Sequence, residues 1–198
     1  MAINVEKLIV DALMELCNSK PLSKITVSDI SKTSGVSRTT FYKHFQDVYD
    51  LIVFAYRQKI IGSFTDPDDP DFDFAQALID CYRGDEKYHK FIKQAIKMDG
   101  QNNLREFMVK HSKEFDVRWY EHITGRKLTE EQKMVFYYHS AGNIQIRLEW
   151  IMKGTHLTPE EKAAFSIRVR TESADELISD NEQKPWINVL KRIEECIK

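Results

Sequence analysis

The chain has 198 residues, of which 42% are hydrophobic and 30% are charged, a composition that excludes a largely disordered protein. No apolar run approaches the roughly 20 residues that a membrane span requires, and the N-terminus lacks the basic and then apolar order of a signal peptide. We therefore expect a cytoplasmic protein with no membrane attachment. The net charge of −2 gives the whole chain no attraction to polyanions.

The sequence contains no pattern that predicts an enzyme, a cofactor or a metal site. It has no Gly-rich phosphate loop, no nucleophile elbow and no pair of histidines at the spacing of a helical metal clamp. Cys17, Cys81 and Cys196 are isolated from one another, which favours neither a zinc site nor a disulfide framework. We expect buried free thiols. The alternative is a redox-sensing cysteine, for which Arg83 near Cys81 offers a basic neighbour.

In chain order, the first predicted helix covers about residues 4–18, where apolar side chains recur at three- and four-residue spacing. The next stretch, residues 25–45 (ITVSDISKTSGVSRTTFYKHF), predicts two short helices joined by a tight turn. Thr26 and Ser37 are suited to cap the two helices, and Gly35 to adopt the positive φ of the turn between them.

The second of these short helices has one apolar face and one polar face. Phe41 and Phe45 are four residues apart and can close a small core with neighbouring aliphatic side chains, namely Ile25, Val27, Ile30 and Val36. The polar face carries donors for phosphate oxygens and base edges, namely Arg38, Thr39, Thr40, Tyr42, Lys43 and His44. Such a face, starting at a capped N-terminus, suits insertion into the major groove of DNA. The alternative is an ordinary solvated helical hairpin.

The order of residues in this stretch resembles the signature of TetR-type (TetR/AcrR) transcriptional regulators. The resemblance rests on Gly35-Val36-Ser37, on the segment TFYKHF at residues 40–45 and on Leu51, and it spans roughly residues 5–56. It implies an all-α fold with a three-helix helix-turn-helix domain, here residues 1–60. A larger helical domain for effector binding and dimerisation would follow, at residues 61–198.

The resemblance also implies a function. We expect a homodimer that binds a palindromic operator in double-stranded DNA and is a repressor released by a small-molecule effector. The alternative is an activator or adaptor whose C-terminal domain binds a partner protein instead. The residues to which the resemblance assigns DNA contacts are Thr26, Ser28, Ser37, Arg38, Thr39, Thr40, Tyr42, Lys43 and His44. Family members often have a lysine near the start of the following helix, where this chain has Asp47-Val48-Tyr49-Asp50.

The distribution of charge agrees with DNA binding through one small surface. Residues 1–46 carry six basic and four acidic side chains, a net charge of +2, whereas the remainder carries 23 basic and 27 acidic side chains, a net charge of −4. A modestly basic domain on an acidic body attracts DNA at one end and repels it elsewhere.

The rest of the chain predicts helices only. Their approximate ranges are 47–64, 72–82, 85–98, 102–123, 129–153, 158 through Ile167 and on to Ile178, and 185 to the end, with Gly84 and Asp99-Gly100 as two of the breaks. We expect the helix at 47–64 to connect the domains and transmit a signal between them. The many aromatic side chains between residues 72 and 120 fit either a core or the lining of a ligand cavity.

The helix at 129–153 is apolar on more than one side and must therefore bury more than one side. One face suits the domain core, and another suits a twin subunit that approaches closely at Ala141 and Gly142. His139, Asn143 and Arg147 share a stripe of this helix. They can anchor an anionic ligand or form a polar part of the dimer contact.

Overall fold

The computed structural model describes residues 4–64, 66–69, 71–98, 103–171 and 185–197. Within these ranges all regular secondary structure is helical, which confirms the predicted fold class, and no helix is long and apolar enough to cross a bilayer. The α-helices are α1 (Val5–Ser19), α2 (Val27–Ser34), α3 (Arg38–His44), α4 (Val48–Lys59), α5 (Phe74–Lys87), α6 (His89–Ala95), α7 (Leu104–Thr124), α8 (Glu130–Lys153), α9 (Pro159–Arg170) and α10 (Pro185–Ile197), with a 3-10 turn, η1 (Leu22–Lys24), between α1 and α2.

The chain divides into two compact units. Unit 1 comprises residues 1–59 and 88–107, and unit 2 comprises residues 60–87 and 108–198. Unit 1 therefore holds α1 to α4, α6 and the first residues of α7. The predicted division at residue 60 into a DNA-binding and an effector domain concerns function, and it stays a prediction.

The core of unit 1 forms around the short helices. Ile9, Leu13, Ile30 and Phe41 have no solvent-exposed surface. The ring of Phe41 lies 5.6 Å from that of Phe45, and Phe45 in turn lies 5.2 Å from Phe54 of α4. This confirms the predicted core, although Val27 and Val36 are only half-buried. α3 is thus attached to α4 through its apolar face.

Unit 2 is built around a cluster of aromatic rings packed at tilted and edge-to-face angles. The ring centroid of Phe74 lies 4.7 Å from Trp119 and 4.9 Å from Trp186, and the two tryptophan rings are 4.5 Å apart. Phe115 joins the same buried cluster. For these rings the structure supports the core explanation, because they fill space with one another.

The structure corrects two predicted helix limits. α5 continues through Gly84 to Lys87, so the predicted break at Gly84 is wrong. A Cβ atom at this position would lie 3.1 Å from the Cα atom of Ile60, and the glycine therefore permits close packing rather than a turn. α4 ends at Lys59 rather than near residue 64. The predicted continuation of α9 to Ile178 lies outside the described residues.

The cysteines are free thiols. Cys17 and Cys81 are buried as predicted, whereas Cys196 is exposed, so the prediction is wrong for that residue. Burial raises the pKa of the Cys17 thiol to about 11 and that of Cys81 to about 11. Because the thiolate is the reactive form, these two buried positions do not support the redox-sensing alternative.

Replacing Phe41 tests the core of unit 1. We expect Phe41→Ala to lower the free energy of unfolding by about 3–5 kcal/mol, the usual cost of deleting a fully buried aromatic side chain. Hydrogen exchange at the amides of α1 to α4 during chemical denaturation measures this loss. Thr39→Ala, two residues earlier on the exposed face, is the control. Unchanged protection in Phe41→Ala would show that α3 does not depend on this ring.

Candidate nucleic-acid interface

A reciprocal cap fixes the start of α2. The Thr26 hydroxyl oxygen accepts a hydrogen bond from the Asp29 amide at 3.2 Å, and the Asp29 carboxylate accepts one from the Thr26 amide at 2.8 Å. Lys20, just beyond α1, donates to the same carboxylate at 2.6 Å. The Lys20 ammonium and the two Thr26 donors lower the pKa of Asp29 to about 2. This confirms Thr26 as the N-cap and ties the start of α2 to the end of α1.

The turn and the start of α3 also follow the sequence pattern. Gly35 has a φ of +72°, a conformation that side chains with a Cβ rarely adopt. Ser37 caps α3, accepting from the Thr40 amide at 3.0 Å, and its hydroxyl lies 2.9 Å from the Thr40 hydroxyl. Both hydroxyls are therefore oriented before any ligand arrives. They retain lone pairs or a proton for a phosphate or a base.

The outer face of α3 carries most of the predicted DNA contacts. Arg38, Thr39, Tyr42 and Lys43 are exposed, and the Tyr42 ring stands edge-on to Phe41 at 5.4 Å, which limits its rotation. Ser28 is exposed on α2. Exposure and orientation make these side chains available to a duplex, but their DNA contacts stay predictions.

His44, at the end of α3, differs from the other members of the predicted set. Its Nδ1 atom lies 3.4 Å from a carboxylate oxygen of Glu6 in α1. The imidazole is thus directed toward α1, at the opposite end of α3 from Ser37. A contact with DNA would compete with this interaction.

The acidic segment that departs from the family pattern has a structural role. The Asp47 carboxylate accepts a hydrogen bond from the Asp50 amide at 2.8 Å, and the Asp50 carboxylate accepts one from the Gln46 amide at 3.0 Å. These two acids cap the start of α4, where the positive end of the helix dipole favours carboxylates. They stabilise the helix at the place where relatives often carry a lysine.

In unit 2, α8 and α9 form an open apolar groove of about 490 Å³. We call it the α8–α9 groove; its lining is Met134, Tyr137, Tyr138, His139, Ala141, Gly142, Asn143, Ile146, Phe165, Ser166, Val169 and Arg170. Tyr138 is 78% exposed and Met134 61% exposed, which is unusual for such large apolar side chains. The α8 positions were anticipated from its second apolar face, but the α9 contribution was not.

A buried ion pair removes Arg147 from the polar stripe of α8 that also contains His139 and Asn143. Arg147 is buried and donates two hydrogen bonds to the Asp85 carboxylate, at 2.5 and 2.7 Å. It is not part of the groove lining, to which His139 and Asn143 belong, so the structure does not support its predicted role beside them as an anchor for an anionic ligand. Asp85, 62 residues earlier in the chain, neutralises the charge that an anionic ligand would need. Burial, and secondarily the charge of Arg170, lowers the pKa of His139.

No local sequence pattern indicates the role of Gln94 in unit 1. Its side-chain oxygen accepts a hydrogen bond from the Leu22 amide at 2.7 Å, and its side-chain nitrogen donates to the Cys17 carbonyl at 3.4 Å. More than seventy residues separate these partners, so no local pattern could reveal the contact. Gln94 thereby joins α6 to the segment between α1 and α2.

Comparison with known proteins supports this interpretation of the N-terminal helices. Residues 9–53 match the family model for bacterial regulatory proteins of the tetR family. A structure described as the dihydroxyacetone kinase operon activator DhaS shares 17% identity over 98% of both chains, with a TM-score of 0.63. The TetR family repressor AlkX from Dietzia sp. strain DQ12-45-1b shares 16% identity over 86% of this chain and 95% of its own, with a TM-score of 0.54. No match was found among curated protein sequences.

The lowered pKa of Asp29 predicts how the stability of the fold depends on pH. Its pKa is lowered from 3.8 to about 2, so the carboxylate stabilises the fold fully above its unfolded pKa and loses that contribution as the pH falls toward 2. We expect the unfolding free energy of Asp29→Asn to change less than that of wild type in this range. Hydrogen exchange at α2 amides is the measurement, and Glu15→Gln, an exposed position of α1, is the control. Parallel pH profiles for wild type and Asp29→Asn would contradict the assignment.

Proposed function

We propose that the chain is a member of the tetR family of bacterial regulatory proteins, whose family model matches residues 9–53, and that it is a dimeric regulator that binds a palindromic DNA operator. We further propose that it is a cytoplasmic repressor, released from DNA by a small molecule. The observation that carries the proposal is α3, a capped helix whose apolar face is fixed in the core and whose polar face is exposed.

In the proposed complex, α3 lies in the major groove. Arg38 and Thr39, in its first turn, reach base edges together with Thr40 and Tyr42, while Lys43 neutralises a phosphate. Thr26 and Ser28, at the positive end of the α2 dipole, suit a second phosphate. Ser37 orients the α3 N-terminus, and His44 contacts the duplex only if it leaves Glu6. The functional division is residues 1–60 for DNA and 61–198 for effector and partner subunit.

The charge of the two units supports this orientation on DNA. Unit 1 contains twelve basic and eight acidic residues, a net charge of +4, whereas unit 2 contains 17 basic and 23 acidic residues, a net charge of −6. The contrast is larger than that obtained by dividing the sequence at residue 46, because residues 88–107 add four basic side chains and only two acidic ones. A polyanion is attracted to unit 1 and repelled by unit 2.

The α8–α9 groove supports the proposed homodimer. Exposed Met134, Tyr138 and Phe165 form an apolar surface on a face where Gly142 leaves open space above the backbone. Two copies related by a two-fold axis would each cover the other's groove, since an isologous interface uses the same patch twice. The pair presents two α3 helices, which must lie about 34–36 Å apart to enter successive major grooves. An effector that binds better to a different separation releases the DNA.

A second candidate is an activator whose C-terminal domain binds a partner protein. Two observations support it. The aromatic rings of unit 2 that were candidates for a cavity lining, among them Phe74 and Trp119, pack tightly on one another. The structurally similar DhaS is described as an operon activator. In this alternative the partner protein, and not a small molecule, sets the separation of the α3 helices.

The first test is selection of bound duplexes from a random DNA pool by the purified protein at moderate salt. Recovery of an inverted repeat is the expected result, and it supplies the operator for a screen of releasing molecules. If a folded, dimeric protein recovers no sequence above background, it does not bind DNA alone. That outcome would replace the repressor with the partner-dependent activator.

Substitutions on α3 separate base recognition from phosphate contact. We expect Lys43→Ala to weaken binding to all duplexes alike and to reduce the slope of log K against log salt by about one, because one phosphate contact is lost. Arg38→Ala should instead change the preference between operator variants, at about 1–3 kcal/mol for the affected base pair. Binding isotherms on single-base operator variants measure both effects. Uniform losses for Arg38→Ala on all variants would refute its role in base recognition.

A charge in the α8–α9 groove tests the dimer. We expect Tyr138→Arg to give monomers, because two arginines would be forced into an apolar interface, and to lose binding to the complete palindrome. Ile123→Arg, which replaces an exposed apolar side chain of α7 outside the groove, should remain dimeric. Sedimentation equilibrium gives the mass of each variant. A dimeric Tyr138→Arg protein would place the subunit contact elsewhere.

A further inference from the structure

The path of the chain through unit 1 is discontinuous. The chain enters unit 2 after Lys59, returns to unit 1 for residues 88–107, and then enters unit 2 again. α5 ends at Lys87, immediately before this segment, and α7 runs without a break across the boundary at residues 107 and 108. Both ends of the returning segment are therefore joined covalently to unit 2. A rearrangement of unit 2 that moves either end acts directly on the segment.

The described parts of the returning segment, residues 88–98 and 103–107, are docked within unit 1. Phe91, Ile92 and Ala95 of α6 are buried, with 3% or less of their surface exposed. At the other end, the ring of Phe107 lies edge-to-face with Tyr56 of α4 at 6.2 Å and 4.9 Å from the guanidinium carbon of Arg57. The segment therefore contacts α4 as well as the region between α1 and α2.

Gln94 provides the polar part of this docking. The Cys17 carbonyl belongs to the last turn of α1, where carbonyl groups have no intrahelical partner, and the Leu22 amide begins η1 immediately before α2. Leu22 itself is 1% exposed, so water has little access to replace the amide contact. One glutamine side chain satisfies both backbone groups and thereby fixes the connection between α1 and α2.

We propose that Gln94 is a positioning residue for DNA binding, through which residues 88–107 couple the state of unit 2 to the geometry of α1, η1 and α2. With Gln94 docked, the α1–α2 connection keeps Lys20 on Asp29 and α2 at its capped start, which is the arrangement that presents α3. When the segment shifts, the Leu22 amide loses its acceptor and this connection loosens. The inference rests on the proposed DNA-binding function and adds a route of regulation distinct from α4.

Thermodynamic linkage makes the coupling measurable without an effector. If docking of Gln94 favours DNA binding, then DNA binding must favour docking of Gln94 by the same free energy. Hydrogen exchange at the Leu22 amide, which reports the hydrogen bond to Gln94, should therefore slow when wild-type protein binds its operator. DNA binding also slows every amide that exchanges through unfolding of unit 1, so the comparison uses conditions in which the Leu22 amide exchanges faster than the core amides of α1, through local opening. Under these conditions, a residue that only stabilises the fold would show the same exchange rate with and without DNA.

Three variants of the full chain complete the test. Gln94→Met keeps the length of the side chain but removes both hydrogen bonds, and we expect about tenfold weaker operator binding with an unchanged salt slope, since no phosphate contact is lost. Gln94→Glu retains an acceptor for the Leu22 amide and should stay within about threefold of wild type. Gln58→Met makes the same chemical change at an exposed position of α4 in unit 1 and should leave affinity unchanged.

The outcomes distinguish the coupling from the proposed function. A wild-type protein that binds no duplex would overturn both. Operator binding with equal affinity by wild type and Gln94→Met, or an exchange rate at Leu22 that does not respond to DNA, would overturn the coupling alone. Because the exchange measurement uses wild-type protein, it decides the question even if Gln94→Met fails to fold.

Discussion

The N-terminal domain depends on the burial of one phenylalanine. α3 has seven residues and α2 has eight, whereas isolated helices shorter than about 12–15 residues are marginal in water. α3 therefore persists because Phe41 is completely buried and Phe45 packs edge-to-face against Phe54 of α4. The same packing fixes the rotation of α3 about its axis. The outward direction of Arg38 and the other polar side chains is a consequence of the core, before any contact with DNA.

A comparable constraint operates in unit 2 through buried charge. Arg147 pairs with Asp85, and Arg170 donates to Asp116 at 2.8 Å, with all four side chains almost fully buried. Burial raises the pKa of both carboxyls while the arginines oppose that shift. A rotation or slip of α8 would leave the Arg147 charge unpaired, a state that costs several kcal/mol. The Arg147–Asp85 pair therefore fixes which face of α8 points outward, and with it the position of the exposed Tyr138.

Features that depend on neighbouring residues could be predicted from the sequence, whereas contacts between distant residues could not. Thr26, Ser37 and Gly35 have roles that depend on neighbours within a few residues, so their positions followed from the sequence. The role of Gly84 could not be predicted in this way. Its packing against Ile60 is a contact between distant segments that requires a small residue inside a helix. Pairing of Arg147 with Asp85 and docking of Gln94 at Leu22 span more than sixty residues. The contribution of α9 to the α8–α9 groove was not predicted for the same reason, because it depends on packing between separate helices.

The free energy with which α6 docks in unit 1 is also large enough for a regulatory switch. Moving a two-state protein from 1:99 to 99:1 takes about 5.5 kcal/mol of differential binding. Burial of a large apolar side chain contributes about 1.5–3 kcal/mol, and α6 buries Phe91 and Ile92 in unit 1 and adds the hydrogen bonds of Gln94. The free energy of docking α6 is therefore of the same order as the free energy that such a switch requires. A linker attached at one end can swing without moving unit 1, but a segment joined to unit 2 at both ends must either carry unit 1 with it or release these contacts.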